Sequence, residues 1–587
     1  MKNKILALIS IITLLALGSC GEDFLYKAPK GSLDQTALAN ANGIELLVTN
    51  TYANLTEQAW GASIFNWTLS GMYGGDANKG SDNSDQSVLN EMEIYSTSAT
   101  NSYLNDKWSW IYRGVKRANI ALQTMDMCED LDPSVAAIRK GELYFLRSMF
   151  YFEGLRVFGG YIPYFNETEL ENDPKIHNDR DIYSDVLADV DVAINNLPET
   201  PSEVGRVYKW AAKALKAKIY MMQGNMSAAK PLLEDVVNNG KTATGKKYAL
   251  ADAITDNWDS FKDNTSPESI WEVQFSADGN NNGNSGLALC YPHNTGPGGC
   301  CGFYQPSFDL ANSYQVDDNG LPYLNNEYRT KPTVDIINEN VGGKLPDGSD
   351  DNRISTVNTA VTVDPRIDIA LGRFEVPYKD WGLPDRPWVR DVANGGIYMP
   401  KKHVYSKAES DAGLARAGMY DGWAPGSAMN VQYLSVRDAM LQLAECYADE
   451  GNLSGAMELV NKIRERAGKP ANQVAGSPAK YKVSTYPSSH AAFTDKATCI
   501  KAVRFERKLE LGMEGERGFD LFRWGGDYMS QELRGYVDYE KNYIGKFNGA
   551  ATLNPAKTMF PVPQNQIDAM GNDENGQPYL VQPAPWK

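Results

Sequence analysis

Glu506, Glu510 and Glu514 stand four residues apart, which places three carboxylates on one face of a helix. Paired acids are the machinery of glycoside hydrolysis, one protonating the leaving oxygen while the other serves as base or nucleophile. Arg507, Arg517 and Arg523 are interleaved at offsets that favour ion pairs, so the same set reads first as a structural salt network. Four histidines, His177, His293, His403 and His490, form no HExxH pair, and no GxSxG elbow is present. A zinc protease and an elbow-type serine hydrolase are therefore unsupported. Gly240-x4-Gly245-Lys246 approaches a phosphate loop, but Lys247 replaces the required Ser or Thr and a helical pattern precedes it, which points to a solvated turn. Asp278-x-Asn280-x-Asn282-Gly283 opens like a calcium loop, yet Leu289 stands where the bidentate Glu belongs. No catalytic residue, metal site or cofactor is assigned. Among the thiols, Cys446 and Cys499 read as core residues, whereas Cys300 and Cys301 are adjacent within Gly298-Gly299-Cys300-Cys301-Gly302, either as a vicinal disulfide or as two separate thiols.

The elements that must position these groups are helical. Apolar residues recur at helical spacing over roughly 36–57, 104–127, 135–158, 181–197, 208–239, 433–449, 454–467 and 496–524. Tyr220-x3-Gly224-Asn225-Met226-Ser227-Ala228-Ala229 is echoed by Tyr447-x3-Gly451-Asn452-Leu453-Ser454-Gly455-Ala456, with Ala217 matching Ala444 upstream. An aromatic on a first helix, a Gly-Asn turn and a small residue early in a second helix are the marks of a tetratricopeptide-like hairpin. The echo is too sparse for a tandem array, so paired helices spread along the chain are expected. Between about 260 and 432, and again over 59–110, Gly, Asn, Asp, Pro and aromatics interrupt the frame. Loops of this kind carry function more often than frames do.

The 587 residues are 42% hydrophobic and 11% aromatic, ample material for a large core, and intrinsic disorder is excluded. Lys2 and Lys4 precede an apolar run from Ile5 to Leu17, the pattern of a secretory signal too short to span a bilayer comfortably. Leu17-Gly18-Ser19-Cys20 follows and resembles a bacterial lipobox, in which the cysteine becomes the acylated N-terminus; Glu22 and Asp23 lie just behind it. The formal charge is −17, and removing residues 1–19 leaves 55 basic against 74 acidic side chains, or −19. Such a surface repels phosphate backbones, and with no run of five Lys or Arg, nucleic acid is rejected as a partner.

The landmarks jointly resemble the SusD/RagB family of Bacteroidetes outer-membrane nutrient-binding lipoproteins, over nearly the whole chain. They are Cys20 with Asp23-Phe24-Leu25 and Pro29; Tyr112-Arg113-Gly114-x3-Ala118-Asn119; Leu146-Arg147-Ser148-x2-Tyr151-Phe152-x2-Leu155-Arg156-x-Phe158-Gly159-Gly160-x2-Pro163; Arg437-x6-Ala444-Glu445; Asn461-x2-Arg464-x-Arg466-Ala467-Gly468; Glu506-Arg507-x2-Glu510-x3-Glu514-Gly515-x-Arg517-x2-Asp520-Leu521-x-Arg523-Trp524; and Pro561-x-Pro563. Gly518 departs from the family, standing where an aromatic is frequent, and the usual ending is only faintly echoed by Asn575-Gly576-Gln577-Pro578-Tyr579. The resemblance implies a mainly α, SusD-like fold with tetratricopeptide-like helix pairs and a long loop-rich irregular region. It implies an outer-membrane, lipid-anchored surface protein that captures oligosaccharide or polysaccharide and delivers it to a SusC-like TonB-dependent transporter, without enzymatic activity. A helical glycoside hydrolase and a protein-binding scaffold are the competing readings.

The expected organisation is a signal peptide at 1–19, a lipidated tether at 20–33, helical parts at 34–260 and 433–587, and a loop-rich insert at 261–432. Sugar rings stack an apolar face on Trp or Tyr while their rim hydroxyls take Asn, Asp or Arg partners. The ligand candidates are the aromatics in polar loop contexts: Trp60, Trp67 and Tyr73 near Asp76 and Asn78; Tyr291, Tyr304 and Tyr323; and Trp381 and Trp388. Trp210 and Trp524, inside helical patterns, are expected in the core.

Overall fold

The computed structural model describes residues 35–56, 60–169, 175–278, 283–338, 343–344, 350–351 and 353–587. The signal, the tether and Cys20 lie outside these residues, as do Asn280 and Asn282 of the calcium-like loop. Among the described residues no helix is long and apolar enough to cross a membrane.

Eleven helices make the frame: α1 Ala41–Ala53, α2 Ser102–Asp126, α3 Pro133–Phe158, α4 Tyr183–Asn196, α5 Lys209–Gln223, α6 Met226–Asn239, α7 Val436–Glu450, α8 Leu453–Ala467, α9 Lys496–Leu511, α10 Arg517–Arg523 and α11 Gly526–Glu540. Local chemistry sets their ends. The Asp132 carboxylate accepts from the N–H groups of Ser134 and Val135 at 2.8 and 3.3 Å, and Pro133 supplies a preset φ at the first position of α3. The echo seen in the sequence is a repeated turn. Gly224 and Gly451 close α5 and α7 with φ of 79° and 88°, where a side chain would strain the backbone, and Asn225 and Asn452 cap the following helices through Ala228 N and Gly455 N. Ala229 and Ala456 are fully buried, which lets each pair approach closely.

From α1 to α8 each helix packs on the next, and α9 closes on α7 and α8. The contact between α6 and α7 bridges the loop-rich stretch, so that stretch emerges between two successive members of one stack. Lys230–Glu450 at 2.6 Å and Tyr447–Glu234 at 3.0 Å join the two hairpins across this step.

The irregular region is tied down by short antiparallel pairs: β1 Ala77–Gly80 with β3 Phe303–Pro306, β2 Ser269–Val273 with β6 Val431–Ser435, and the hairpin β4 Ala415–Tyr420 with β5 Ala424–Ser427. One apolar core runs from Leu55 to Leu580 through both frame and loops. Buried ions add further ties: Arg366 from the loops reaches Glu506 and Glu510 on α9, and Lys402 reaches Glu514 at 2.9 Å.

Candidate functional site

Trp60 and Trp423 form an open aromatic corner. Trp60 begins a single 3-10 turn, Trp60–Ala62, seated on the start of α2: a Cβ at Gly61 would stand 2.8 Å from Tyr103 Cα and 3.1 Å from Asp106 Cβ. Only a residue without a side chain lets this turn close on the helix. Trp423 is carried by the tip of the β4–β5 hairpin, where Asp421 and Gly422 both take positive φ, 49° and 77°, and the Trp423 N–H donates to Tyr420 O at 3.0 Å. This is the pattern of a type I′ turn. The Tyr420 hydroxyl donates to Gly283 O and fastens the hairpin to the 283–287 turn. The two indoles meet with ring centroids 6.0 Å apart and planes at 76°, and Trp423 is 45% exposed while Trp60 is half-buried.

Beside this turn Asp106 is half-buried, and burial raises its pKa. An aromatic ledge next to a carboxylate with spare acceptor capacity matches what a sugar ring presents, an apolar face rimmed by hydroxyl donors.

Of the candidates read from sequence, Trp60, Trp381 and Tyr323 keep partly open faces. Trp381 donates its indole N–H to Tyr405 O at 3.0 Å, and the Lys331 ammonium sits 4.5 Å from the Tyr323 ring centroid. The other seven are buried, contrary to the expectation of open loop positions. Trp67 is completely buried in a π-helical segment, Trp67–Met72, with Nε1 donating to Gly286 O at 3.0 Å and its ring against Phe303 and Tyr304. Tyr73 packs edge-on to Tyr95 and Phe560. Tyr291 lies under Tyr405 and against Gly298, where a Cβ would come within 2.8 Å of its ring. Tyr304 is buried against Gly71 and Trp67, and Trp388 is buried edge-on to Tyr378 at 5.4 Å.

The polar pair is internal too. Asp76 accepts from Met513 N at 3.1 Å, and burial pushes its carboxyl up to about 7 although Arg517 pulls the other way. Asn78 donates to Glu540 at 2.9 Å and accepts from the Tyr536 hydroxyl at 3.1 Å. Loop backbone buried beside the core needs such partners, so these side chains are spent on the protein itself. Asp106 and Trp423 were absent from the sequence candidates. The signal for Trp423 was the Asp421-Gly422 turn dipeptide between short alternating runs.

Glu506 and Glu510 lie on α9, but the helix ends at Leu511 and leaves Glu514 in the turn beyond it; all three carboxylates are consumed by basic side chains. Glu506 pairs with Arg464 at 3.0 Å and Arg366 at 2.8 Å, Glu510 with Arg466 and with Arg366 at 3.0 Å, and Glu514 with Arg437 and Lys402, both at 2.9 Å. Arg507 holds Asp438, Glu445 and Asp520, while Arg523 holds Glu445 and Asp520. Burial disfavours the Glu510 charge, yet Arg466 and Arg366 hold its carboxyl down at about 2. A glycosidase acid needs a raised pKa and open space for the glycosidic oxygen, and this carboxylate has neither. Trp210 and Trp524 are buried, as are Cys446 and Cys499; Cys300 and Cys301 are thiols with Sγ atoms 2.8 Å apart.

The chain matches known proteins along most of its length. The SusD family model covers residues 267–582, and a second model, described as starch-binding associating with outer membrane, covers 23–221. A SusD-like protein of Bacteroides ovatus is 24% identical over 396 residues, 61% of this chain and 68% of that one. A SusD-like protein of Formosa agariphila is 23% identical over 532 residues, 89% and 91% of the two chains. Among solved structures, a SusD superfamily protein of Bacteroides vulgatus superposes with a TM-score of 0.63 at 19% identity, covering 93% of this chain and 99% of that one. Surface glycan-binding protein A of Bacteroides thetaiotaomicron, in complex with laminarihexaose, gives 0.62 at 18% identity, covering 92% and 99%. With more than half of its residues inside the family model, on a mainly α frame of paired helices, the chain belongs to the SusD family.

Proposed function

We propose that this protein captures oligosaccharide or polysaccharide at the cell surface, held by an acylated Cys20 in the outer membrane, and passes it to a SusC-like TonB-dependent transporter without cleaving it. The observation that carries the reading is the Trp60–Trp423 corner with Asp106 beside it: two indoles at 76° offer stacking faces to one bent glycan, and the carboxylate accepts from its hydroxyls. The laminarihexaose complex of a structural neighbour and the starch-binding description of the N-terminal family model support glycan as the ligand class. The consumption of Glu506, Glu510 and Glu514 by arginines supports binding without hydrolysis.

The test is native electrophoresis of the purified chain through gels containing laminarin, starch or other surface polysaccharides, with reducing-end release measured in parallel. Retardation by at least one glycan, with no new reducing ends, is expected. Release of reducing ends that stops when one carboxylate is replaced would favour the hydrolase, and absence of retardation by every glycan would favour a protein-binding scaffold.

A further inference from the structure

A cavity of about 550 Å³ lies between α9 and α11. Its chemistry is opposite to that of the chain as a whole. Lys501, Arg504, Lys508 and Arg517 line it against one carboxylate, Glu532, in a protein whose formal charge is −17. The internal partners do not balance this excess. Asp309 lies behind the wall and is shared by Lys508 and Arg329, each at 2.7 Å, and Glu532 stands 3.3 Å from Arg517. Among the described residues Lys501 reaches an amide, Asn325 Oδ1, at 2.8 Å, and no carboxylate.

Arg504 is the least compensated group. Its guanidinium lies 4.5 Å from the Tyr528 ring centroid and 4.8 Å from that of Trp524, and no carboxylate of the described residues is within ion-pair distance. Among the described residues its Nε is buried without a hydrogen-bond partner, although the guanidinium also meets the Tyr528 hydroxyl, and burial lowers its pKa. A guanidinium without a carboxylate partner keeps its charge poorly compensated in a partly buried site, and an oxyanion in the cavity would offer it charge-assisted hydrogen bonds. Asn325, Gln531 and the Tyr528 phenol supply neutral hydrogen-bonding groups on the same wall, and the volume is that of a small-ligand site.

We propose that this cavity binds an acidic saccharide unit through its carboxylate, with Arg504 and Lys501 as the anion-holding residues. That the anion is carried by a sugar rests on the function proposed above, but the cavity has no lining residue in common with the Trp60–Trp423 corner, so loss of binding at one site is distinguishable from loss at the other. The test is titration calorimetry of the full purified chain with a galacturonate disaccharide, its neutral galactose counterpart and sodium sulfate, all at one ionic strength.

The acidic disaccharide should bind at least about tenfold more tightly than the neutral one, the scale of a charge-assisted hydrogen bond. Its affinity should fall as salt is added. Arg504→Gln and Lys501→Gln should each weaken it, and Lys407→Gln, which removes an exposed cation outside the cavity, should leave it unchanged. Lys501 is exposed, so its variant reports on binding even if Arg504→Gln perturbs folding. Equal affinity for the neutral sugar, no binding of the acidic one, sulfate binding as tightly as the disaccharide, or indifference to Lys501→Gln would each overturn the proposal.

Discussion

Replacing Glu510 by alanine should unfold the protein far more readily while leaving its surface chemistry alone. Glu510 is 2% exposed; its carboxylate is gripped by Arg466 and by Arg366 at 3.0 Å, and its carbonyl accepts from Lys402 at 2.9 Å. Burial alone would raise its pKa, but the two guanidinium groups carry it from 4.5 down to about 2. That shift corresponds to roughly 3 kcal/mol of folded-state preference at neutral pH. Truncation also strands two buried cations, which sets the expected loss at about 3 to 5 kcal/mol. Because the folded pKa is depressed, this stability is present above pH 4.5 and is lost as pH falls through 2, so the gap between parent and variant should shrink from pH 7 to pH 3. Urea unfolding followed by circular dichroism at the two pH values measures it. Lys407→Ala, which breaks an exposed pair with Asp411, should leave the midpoint where it is. A loss under about 1 kcal/mol at pH 7 with an unchanged urea dependence would refute the view that α9 is a buried ionic strut.

Trp67→Ala should cost about 3 to 5 kcal/mol in chemical denaturation, as expected for emptying a large core site, while the folded fraction binds glycan as the parent does. Asp76→Asn should become more favourable relative to the parent as pH rises from 5 to 8. The raised carboxyl of Asp76 favours folding fully below 3.8 and loses that contribution as pH climbs through about 7, whereas Asn does not titrate; a thermal-shift difference that moves the other way would be incompatible with this. Cys20→Ala should abolish surface labelling of the protein on intact cells, and undiminished labelling would reject the lipid anchor.

How much was legible in the sequence depends on how local the cause is. The repeated turns at Gly224-Asn225 and Gly451-Asn452 announce themselves because a left-handed cap and an asparagine N-cap are decided within five residues. That Glu506, Glu510 and Glu514 enter a salt network was legible, but their partners were not: the interleaved Arg507, Arg517 and Arg523 pair with other acids, and the three glutamates take Arg366, Arg464, Arg466, Arg437 and Lys402 from distant parts of the chain. Nor was the direction in which loop aromatics point. A stretch such as Trp67 to Asn78 carries Gly71, Gly74 and Gly75 with Asp76 and Asn78, the texture of an exposed loop, yet it is wrapped into the core, and Asp76 and Asn78 are turned to Met513, Glu540 and Tyr536, partners more than 400 residues away. Those partners are invisible to any window of sequence. Trp423 escaped notice for the converse reason: its exposure is set by a hairpin tip anchored through Tyr420 to Gly283, a contact across 137 residues.

The measurement that bears most directly on the account is the affinity of Trp60→Ala and Trp423→Ala for whichever glycan retards the parent most strongly, determined by calorimetry alongside thermal melts. Each single variant should lose about 1 to 3 kcal/mol of binding, the worth of an aromatic stacking face, with the melting temperature nearly unchanged because both rings lie at the rim of the core. Parent-like affinity in both variants would contradict the claim that this corner is where glycan is held.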